Sequence, residues 1–76
     1  MIGITIAGLD PSGGAGILTD VKTLSSYNIH PTSIVTALTA QNPSKVYSVK
    51  PISVDFINEQ FDSVLSEYDI SYGKTG

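Results

Sequence analysis

The feature that most constrains this chain is the stretch Ala7-Gly8-Leu9-Asp10-Pro11-Ser12-Gly13-Gly14-Ala15-Gly16, lying between two segments of opposite periodicity. Before it, Ile2 to Ala7 is short, β-branched and apolar, which predicts a buried strand. After it, Ile17, Leu18, Val21 and Leu24 recur at helical spacing, with Asp20, Lys22, Thr23 and Ser26 largely on other faces. Strand, glycine-rich turn and helix in that order bring backbone N–H groups to one end of a sheet, where a small polar ligand can sit. Ser12 is placed to cap the helix, and Tyr27-Asn28 to end it, because Asn tolerates the left-handed conformation.

The same alternation continues. Pro31 punctuates the chain, and Ser33 to Ala40 predicts a second strand covered on both faces. It stops at the turn signal Gln41-Asn42-Pro43. Lys45 to Pro51 alternates and predicts a short, partly exposed strand. Ser53 to Glu67 predicts a helix, capped by Ser53, favoured at its start by Asp55, and striped by Phe56, Ile57, Phe61, Val64 and Leu65. Ile70 to Gly73 predicts a last strand running into Lys74-Thr75-Gly76. The order β-α-β-(β)-α-β implies an α/β fold with a mostly parallel sheet. Ligands of such sheets bind beyond the carboxyl ends of the strands. Here those ends carry Gly8-Leu9-Asp10, Gln41-Asn42 and Lys74-Thr75-Gly76, so the candidate residues converge on one rim.

Composition narrows the classes of partner. A net charge of −3, with four lysines and no arginine, argues against nucleic acid, whose phosphates are gripped by clustered cations. There is no cysteine for a disulfide or a thiolate zinc site. The start Met1-Ile2-Gly3 has no basic region of a signal peptide. No apolar run approaches the roughly 20 residues that span a bilayer. With 76 residues the chain is one small domain or part of a larger one.

Each candidate residue has a functional and a purely architectural reading. The glycine cluster either cradles a ligand or makes a tight turn; it is neither a Walker A loop nor the dinucleotide fingerprint. Asp10 either meets a ligand or shapes the turn before Pro11. Asp20 either accepts hydrogen bonds from a ligand or is a solvated acid near the positive end of the helix, and spacing alone favours the second. Gln41 offers donor and acceptor together, which suits the edge of a heterocycle, or it steadies the Asn42-Pro43 turn. His30 is expected at the surface with no role, and Lys74 is placed to meet an anion.

With these residues in hand, the run from Thr5 through Gly8-Leu9-Asp10-Pro11-Ser12-Gly13-Gly14-Ala15-Gly16 to Ile17, then Asp20 to Thr23 and Val35 to Asn42, resembles the start of the hydroxymethylpyrimidine and phosphomethylpyrimidine kinases of thiamine biosynthesis. Asp55-Phe56, Gln60 to Leu65 and Lys74-Thr75-Gly76 fit in order and spacing. The resemblance covers essentially the whole chain. It implies the amino-terminal part of a ribokinase-like three-layer α/β/α fold, with residues 1–76 as a fragment of one kinase domain. It implies a pyrimidine pocket that includes Gly8, Ala15, Asp20, Thr39 and Gln41, with Gln41 reading the aminopyrimidine edge. Thr39 stands where the family often has Val, and Leu9 where it usually has Ser or Thr. Relatives acting on pyridoxine tend to lack the glutamine, so Gln41 favours the thiamine precursor.

The resemblance further implies ATP and Mg²⁺ as co-substrate and cofactor, a cytoplasmic enzyme, and neither a nucleic-acid nor a membrane partner. Family members are often dimers, although no segment here reads as an interface. They are several times longer, and their anion hole, catalytic Cys or Asp and most of the ATP site come from the second half. No catalytic residue is therefore expected among these 76, and the isolated piece is expected to be inactive and prone to aggregate through its uncovered sheet. Two rival functions remain: a pyridoxine or pyridoxal kinase of the same fold, and a fragment that binds the pyrimidine without phosphorylating it.

Overall fold

The computed structural model describes all residues, 1–76. In chain order the elements are β1 (Ile2–Leu9), α1 (Gly16–Ser26), β2 (His30–Asn42), β3 (Lys45–Pro51), α2 (Val54–Leu65) and β4 (Tyr72–Thr75). They form one sheet in the order β3-β2-β1-β4. β1 is parallel to both β2 and β4, and β3 is antiparallel to β2. The expected element order and the mostly parallel sheet are both present, and the carboxyl ends of β2, β1 and β4 lie side by side.

α1 packs on β1 and β2. Gly3 permits the close approach, since a Cβ there would lie 2.9 Å from Ile29 and 3.2 Å from Leu24. The apolar core is small: Ile4, Ala7, Ile17, Leu24 and Ile34 are buried, with Thr5, Asp10 and Asp20 as buried polar companions. Much apolar surface stays in water, including Val46, Tyr47 and Val49 on β3 and Val54, Phe56 and Leu65 on α2.

Four local expectations need correction. Ser12 does not cap α1: the N-cap is Ala15, with no side-chain cap bond, and the Ser12 hydroxyl donates to Asp10 Oδ1 at 2.7 Å instead. Pro31 does not interrupt the chain but lies inside β2, which is 13 residues long. The neighbouring His30 N–H donates to the Met1 carbonyl, just before β1, so the Pro31 nitrogen faces the other edge, which β3 does not reach. A proline costs nothing where no ladder bond is due. β4 starts at Tyr72 rather than Ile70, which places Lys74 within a strand, in register with Thr5. The α2 stripe is shallow: none of its residues is fully buried.

Other expectations hold. Ser53 accepts from Phe56 N at 3.2 Å and caps α2. Asn28 takes the left-handed conformation at φ 60°. β3 forms as a short strand, exposed along its whole length. α2 is tied to the sheet by Gln60, whose amide accepts from Val35 N at 2.8 Å and donates to Val35 O at 2.9 Å. The amide thus completes the backbone pairing of β2 where β3 ends, as a strand would.

A bulge marks β2. Ala7 pairs with Val35 but Gly8 pairs with Ala37, so Thr36 is the extra residue. Side chains beyond the bulge alternate in the opposite phase to those before it. Ala37, Thr39 and Gln41 therefore share a face with Gly8.

Candidate functional site

Asp20 is the centre of the best-built polar cluster. It lies on the second turn of α1, where the helix crosses β1, and only 5% of its surface is exposed. The Thr5 hydroxyl donates to its Oδ2 at 2.6 Å and Lys74 Nζ to its Oδ1 at 2.8 Å. Thr5 and Lys74 are opposite one another on β1 and β4, so the two strands present both donors to one carboxylate. The ammonium of Lys74, and next the Thr5 hydroxyl, hold the Asp20 carboxyl below its ordinary value, against the opposing effect of burial. The reading of Asp20 as a solvated helix-face acid is overturned: it is an ionised acceptor pinned between two strands. Its partners lie 15 and 54 residues away in sequence. Thr5 is the one polar side chain in the run Ile2 to Ala7, and that is the signal for it in the sequence. Gly76 leaves the cluster clear, because a Cβ there would lie 3.2 Å from Lys74 Nζ and 3.5 Å from Asp20 Oδ2.

The glycine-rich loop is organised from within. Asp10 Oδ1 accepts from Ser12 N at 2.9 Å, and Oδ2 from Gly14 N at 3.1 Å. Gly13 N donates to Asp10 O at 3.0 Å. The Ser12 hydroxyl first, then the backbone N–H groups of Ser12, Gly14 and Ala15, hold the Asp10 carboxyl below its ordinary value. The N–H groups of residues 12–14 are thus engaged by the loop's own aspartate. Two glycines are obligatory on conformational grounds: Gly13 at φ 77° and Gly16 at φ 68°. Gly16 also has no room, since a Cβ there would run into the Gly8 carbonyl oxygen.

Gln41 stands near the end of β2, half-buried, with its Nε2 2.8 Å from Thr39 Oγ1. Thr39 Oγ1 in turn donates to Leu9 O at 3.0 Å. Gly8, Ala15, Thr39 and Gln41 lie around the tails of β1 and β2 and the start of α1, while Asp20 is held by Thr5 and Lys74 on the β4 side of β1. No hydrogen bond joins Asp20 to Gln41. His30 is exposed, as expected, and stacks on Tyr68 with ring centroids 5.5 Å apart.

One cavity is present, a groove of about 570 Å³ lined by Thr19, Asp20, Thr23, Leu24, Tyr27, Ile29, Tyr72 and Lys74. It runs between α1 and β4 and reaches the tail of β4 at Lys74, but not the tails of β1 and β2. Asp20 is its sole member from the expected pocket; Gly8, Ala15, Thr39 and Gln41 do not line it. The structure gathers Asp20 with Thr5 and Lys74 beside this groove, and Gln41 with Thr39 and Leu9 at the tails of β1 and β2, and no contact joins the two groups. The groove's lining is half polar and half apolar, with Thr19, Thr23 and Leu24 from α1, Tyr27 and Ile29 from the segment after it, and Tyr72 and Lys74 from β4. There is no group of three His, Cys, Asp or Glu side chains fit to hold a metal ion, and no helix is long and apolar enough to cross a membrane.

A mostly parallel α/β sheet places the chain in a class of folds whose ligands bind beyond the carboxyl ends of the strands. Comparison with known proteins narrows the class. The sequence profile described as phosphomethylpyrimidine kinase matches residues 10–76, and the chain belongs to that family. It is 51% identical over 73 residues to the hydroxymethylpyrimidine/phosphomethylpyrimidine kinase of Escherichia coli K12, covering 96% of this chain and 27% of that one. The corresponding kinase of Aquifex aeolicus is 41% identical over 76 residues, with 30% of its length covered. The chain therefore spans between a quarter and a third of these relatives. Among solved structures, the phosphomethylpyrimidine kinase of Clostridium difficile 630 superposes with a TM-score of 0.95 at 38% identity, over all of this chain and 35% of that one. A Bacillus subtilis pyridoxal kinase, solved with ADP, gives 0.89 at 36% identity, over 99% of this chain and 30% of its own. The fold is ribokinase-like, matching the amino-terminal portion of these larger kinases.

Proposed function

We propose that these residues form the acceptor-binding part of an ATP-dependent kinase that phosphorylates the hydroxymethyl group of 4-amino-5-hydroxymethyl-2-methylpyrimidine, and then its monophosphate, in thiamine biosynthesis. The observation that carries this reading is the family match over residues 10–76, which runs through both Asp20 and Gln41. In the reaction the substrate hydroxyl oxygen bonds to the γ-phosphorus, the bond to ADP breaks, and the hydroxyl proton passes to a base. Asp20 and Gln41 act before that step. Gln41 hydrogen-bonds the aminopyrimidine edge, Asp20 accepts from a ligand donor with its remaining lone pairs, and Gly8 and Ala15 allow the ring to approach the backbone. Thr39 belongs to the same pocket.

ATP and Mg²⁺ are the co-substrate and cofactor of this reading, which assigns them no residues of this chain; the glycine loop is engaged by Asp10. The base is likewise not among these residues. On this reading 1–76 is the amino-terminal part of a single kinase domain working in the cytoplasm, on small molecules rather than nucleic acid or membrane. The related bifunctional enzymes of rice and Arabidopsis are themselves described as chloroplastic.

The structural likeness to pyridoxal kinase at 36% identity favours a second reading, with pyridoxal or pyridoxine as acceptor. Assay of the intact gene product with ATP and each alcohol separates the two. Phosphorylation of the aminopyrimidine is expected, and Gln41→Met should abolish most of it. Activity on pyridoxal or pyridoxine alone, indifferent to Gln41→Met, would overturn the first reading in favour of the second.

A further inference from the structure

The outer edge of β2 changes partner along its length. From Ala37 onward it is paired with β3, whose last residue, Pro51, lies opposite Ala37. One residue earlier, Ile52 N–H donates to the Thr36 carbonyl at 3.0 Å. The chain then turns away into α2 and returns to this edge through one side chain. The Gln60 amide accepts from Val35 N–H at 2.8 Å and donates to the Val35 carbonyl at 2.9 Å. That is the pair of bonds a residue of a neighbouring antiparallel strand would exchange with Val35. Residues of a strand face its two edges by turns, so those facing outward before the bulge are Pro31, Ser33 and Val35. Pro31 has no N–H to give. Val35 is spent on Gln60. Ser33 is left as the one position with both an N–H and a carbonyl turned outward and no strand opposite. Pro31 and Gln60 thus bracket a single open position.

We propose that Gln60 guards this edge: by taking up both backbone groups of Val35, it keeps the outer edge of β2 from pairing with the same edge of a second copy of the chain. An open strand edge is a template for another extended segment. A second copy is the segment that fits here, because the strip is complementary to itself. Laid antiparallel about a two-fold axis through Ser33, two such strips set Ser33 against Ser33 and Val35 against Pro31. The Ser33 pair exchanges two bonds. Each Val35 N–H, once free of Gln60, meets a Pro31 carbonyl, which needs no N–H of its own. Losing the Gln60 amide therefore doubles the ladder from two bonds to four. With the amide in place only the Ser33 pair is available, and one residue pair is too short to hold two chains together. The device stands apart from the pyrimidine site and does not depend on which acceptor the protein takes.

The test follows the assembly state of the intact gene product by sedimentation velocity at rising concentration. Wild type sets the baseline mass. Gln60→Ala should associate further as concentration rises, into a species of twice that mass. Loosening of α2 alone would also cause association, so a second variant separates the two causes. Ser33→Pro removes the remaining outward N–H, and a sheet edge tolerates proline. Added to Gln60→Ala, it should return the protein to the baseline mass. Hydrogen exchange reads the same edge without any proline. In wild type the Val35 amide should exchange about tenfold or more slowly than the Ser33 amide. In dilute Gln60→Ala the two rates should converge, and both amides should gain protection as concentration rises. Gln60→Ala that keeps the baseline mass at every concentration overturns the inference. Association that persists in the double variant also overturns it, since exposed apolar surface would give that result. A wild-type Val35 amide that exchanges as fast as that of Ser33 overturns it as well.

Discussion

The molecule has two buried aspartates whose carboxyls are held below the ordinary value, and they are built in opposite ways. Asp10 is served by its neighbours: each of its side-chain partners lies two to four residues away. Asp20 is served by strands 15 residues before it and 54 residues after it. The first is a local loop device, which stabilises the turn whatever the rest of the sheet does. The second exists only once β1, α1 and β4 have assembled. A carboxylate of the second kind is fixed relative to the whole sheet, and a ligand needs such a fixed point.

The sharpest break of this comparison comes where the two regions join. Gly16 ends the loop and opens α1, with a left-handed φ and no room for a Cβ beside the Gly8 carbonyl. Gly16→Ala should cost more than about 2 kcal/mol, since the left-handed penalty alone is about 1–2 and the backbone must also shift. Because it moves the loop against β1, it should upset both aspartates together. Urea unfolding reads the loss. A cost below half a kilocalorie would mean that loop and strand are not rigidly coupled.

The next largest effect separates the two. Asp20→Ala leaves the Thr5 hydroxyl, itself without solvent exposure, with no partner. That should cost about 1–3 kcal/mol, and calorimetry with the aminopyrimidine should show binding lost. Asp10→Ala frees loop N–H groups that water can reach, so its loss of stability should be the smaller, with pyrimidine binding weakened rather than abolished. Equal losses in both variants would remove the distinction between a local and an assembled site.

The same distinction explains what the sequence makes legible. The order of strands and helices, the Ser53 cap and the Asn28 helix end each depend on residues within a few positions, and each is readable in the chain. Asp20 was not, because spacing along α1 carries no information about Thr5 or Lys74. It was the family resemblance, rather than periodicity, that singled it out. The length of β2 was hidden for a related reason. A proline usually ends a strand, and only the sheet order shows that the Pro31 nitrogen faces an edge with no ladder. The bulge at Thr36, which decides the face that Thr39 and Gln41 occupy, is set by pairing with β1 and has no signature in β2 alone.

The finest expected effect is a matter of pH. Lys74 first, then Thr5, hold Asp20 below the ordinary aspartate value of 3.8. An acid whose folded pKa lies below its unfolded one lends stability that is fully present above the unfolded value and is lost as pH falls through the folded one. The Asp20 contribution is therefore complete at neutral pH and drains away below about pH 4. Lys74→Met removes the strongest lowering influence and leaves Thr5 against burial, so the acid limb of stability should move to higher pH. At neutral pH the cost should be only about 1 kcal/mol or less, because the Lys74 side chain is 53% exposed and water can replace it. Urea midpoints measured between about pH 3 and 7 test this, with Asp20→Asn as the reference that lacks the limb altogether. Asp10 keeps its own acid limb in all three proteins, since none of its partners is touched. If the wild type and Lys74→Met trace the same curve, the ion pair contributes nothing to folding, and the long-range aspartate rests on Thr5 alone.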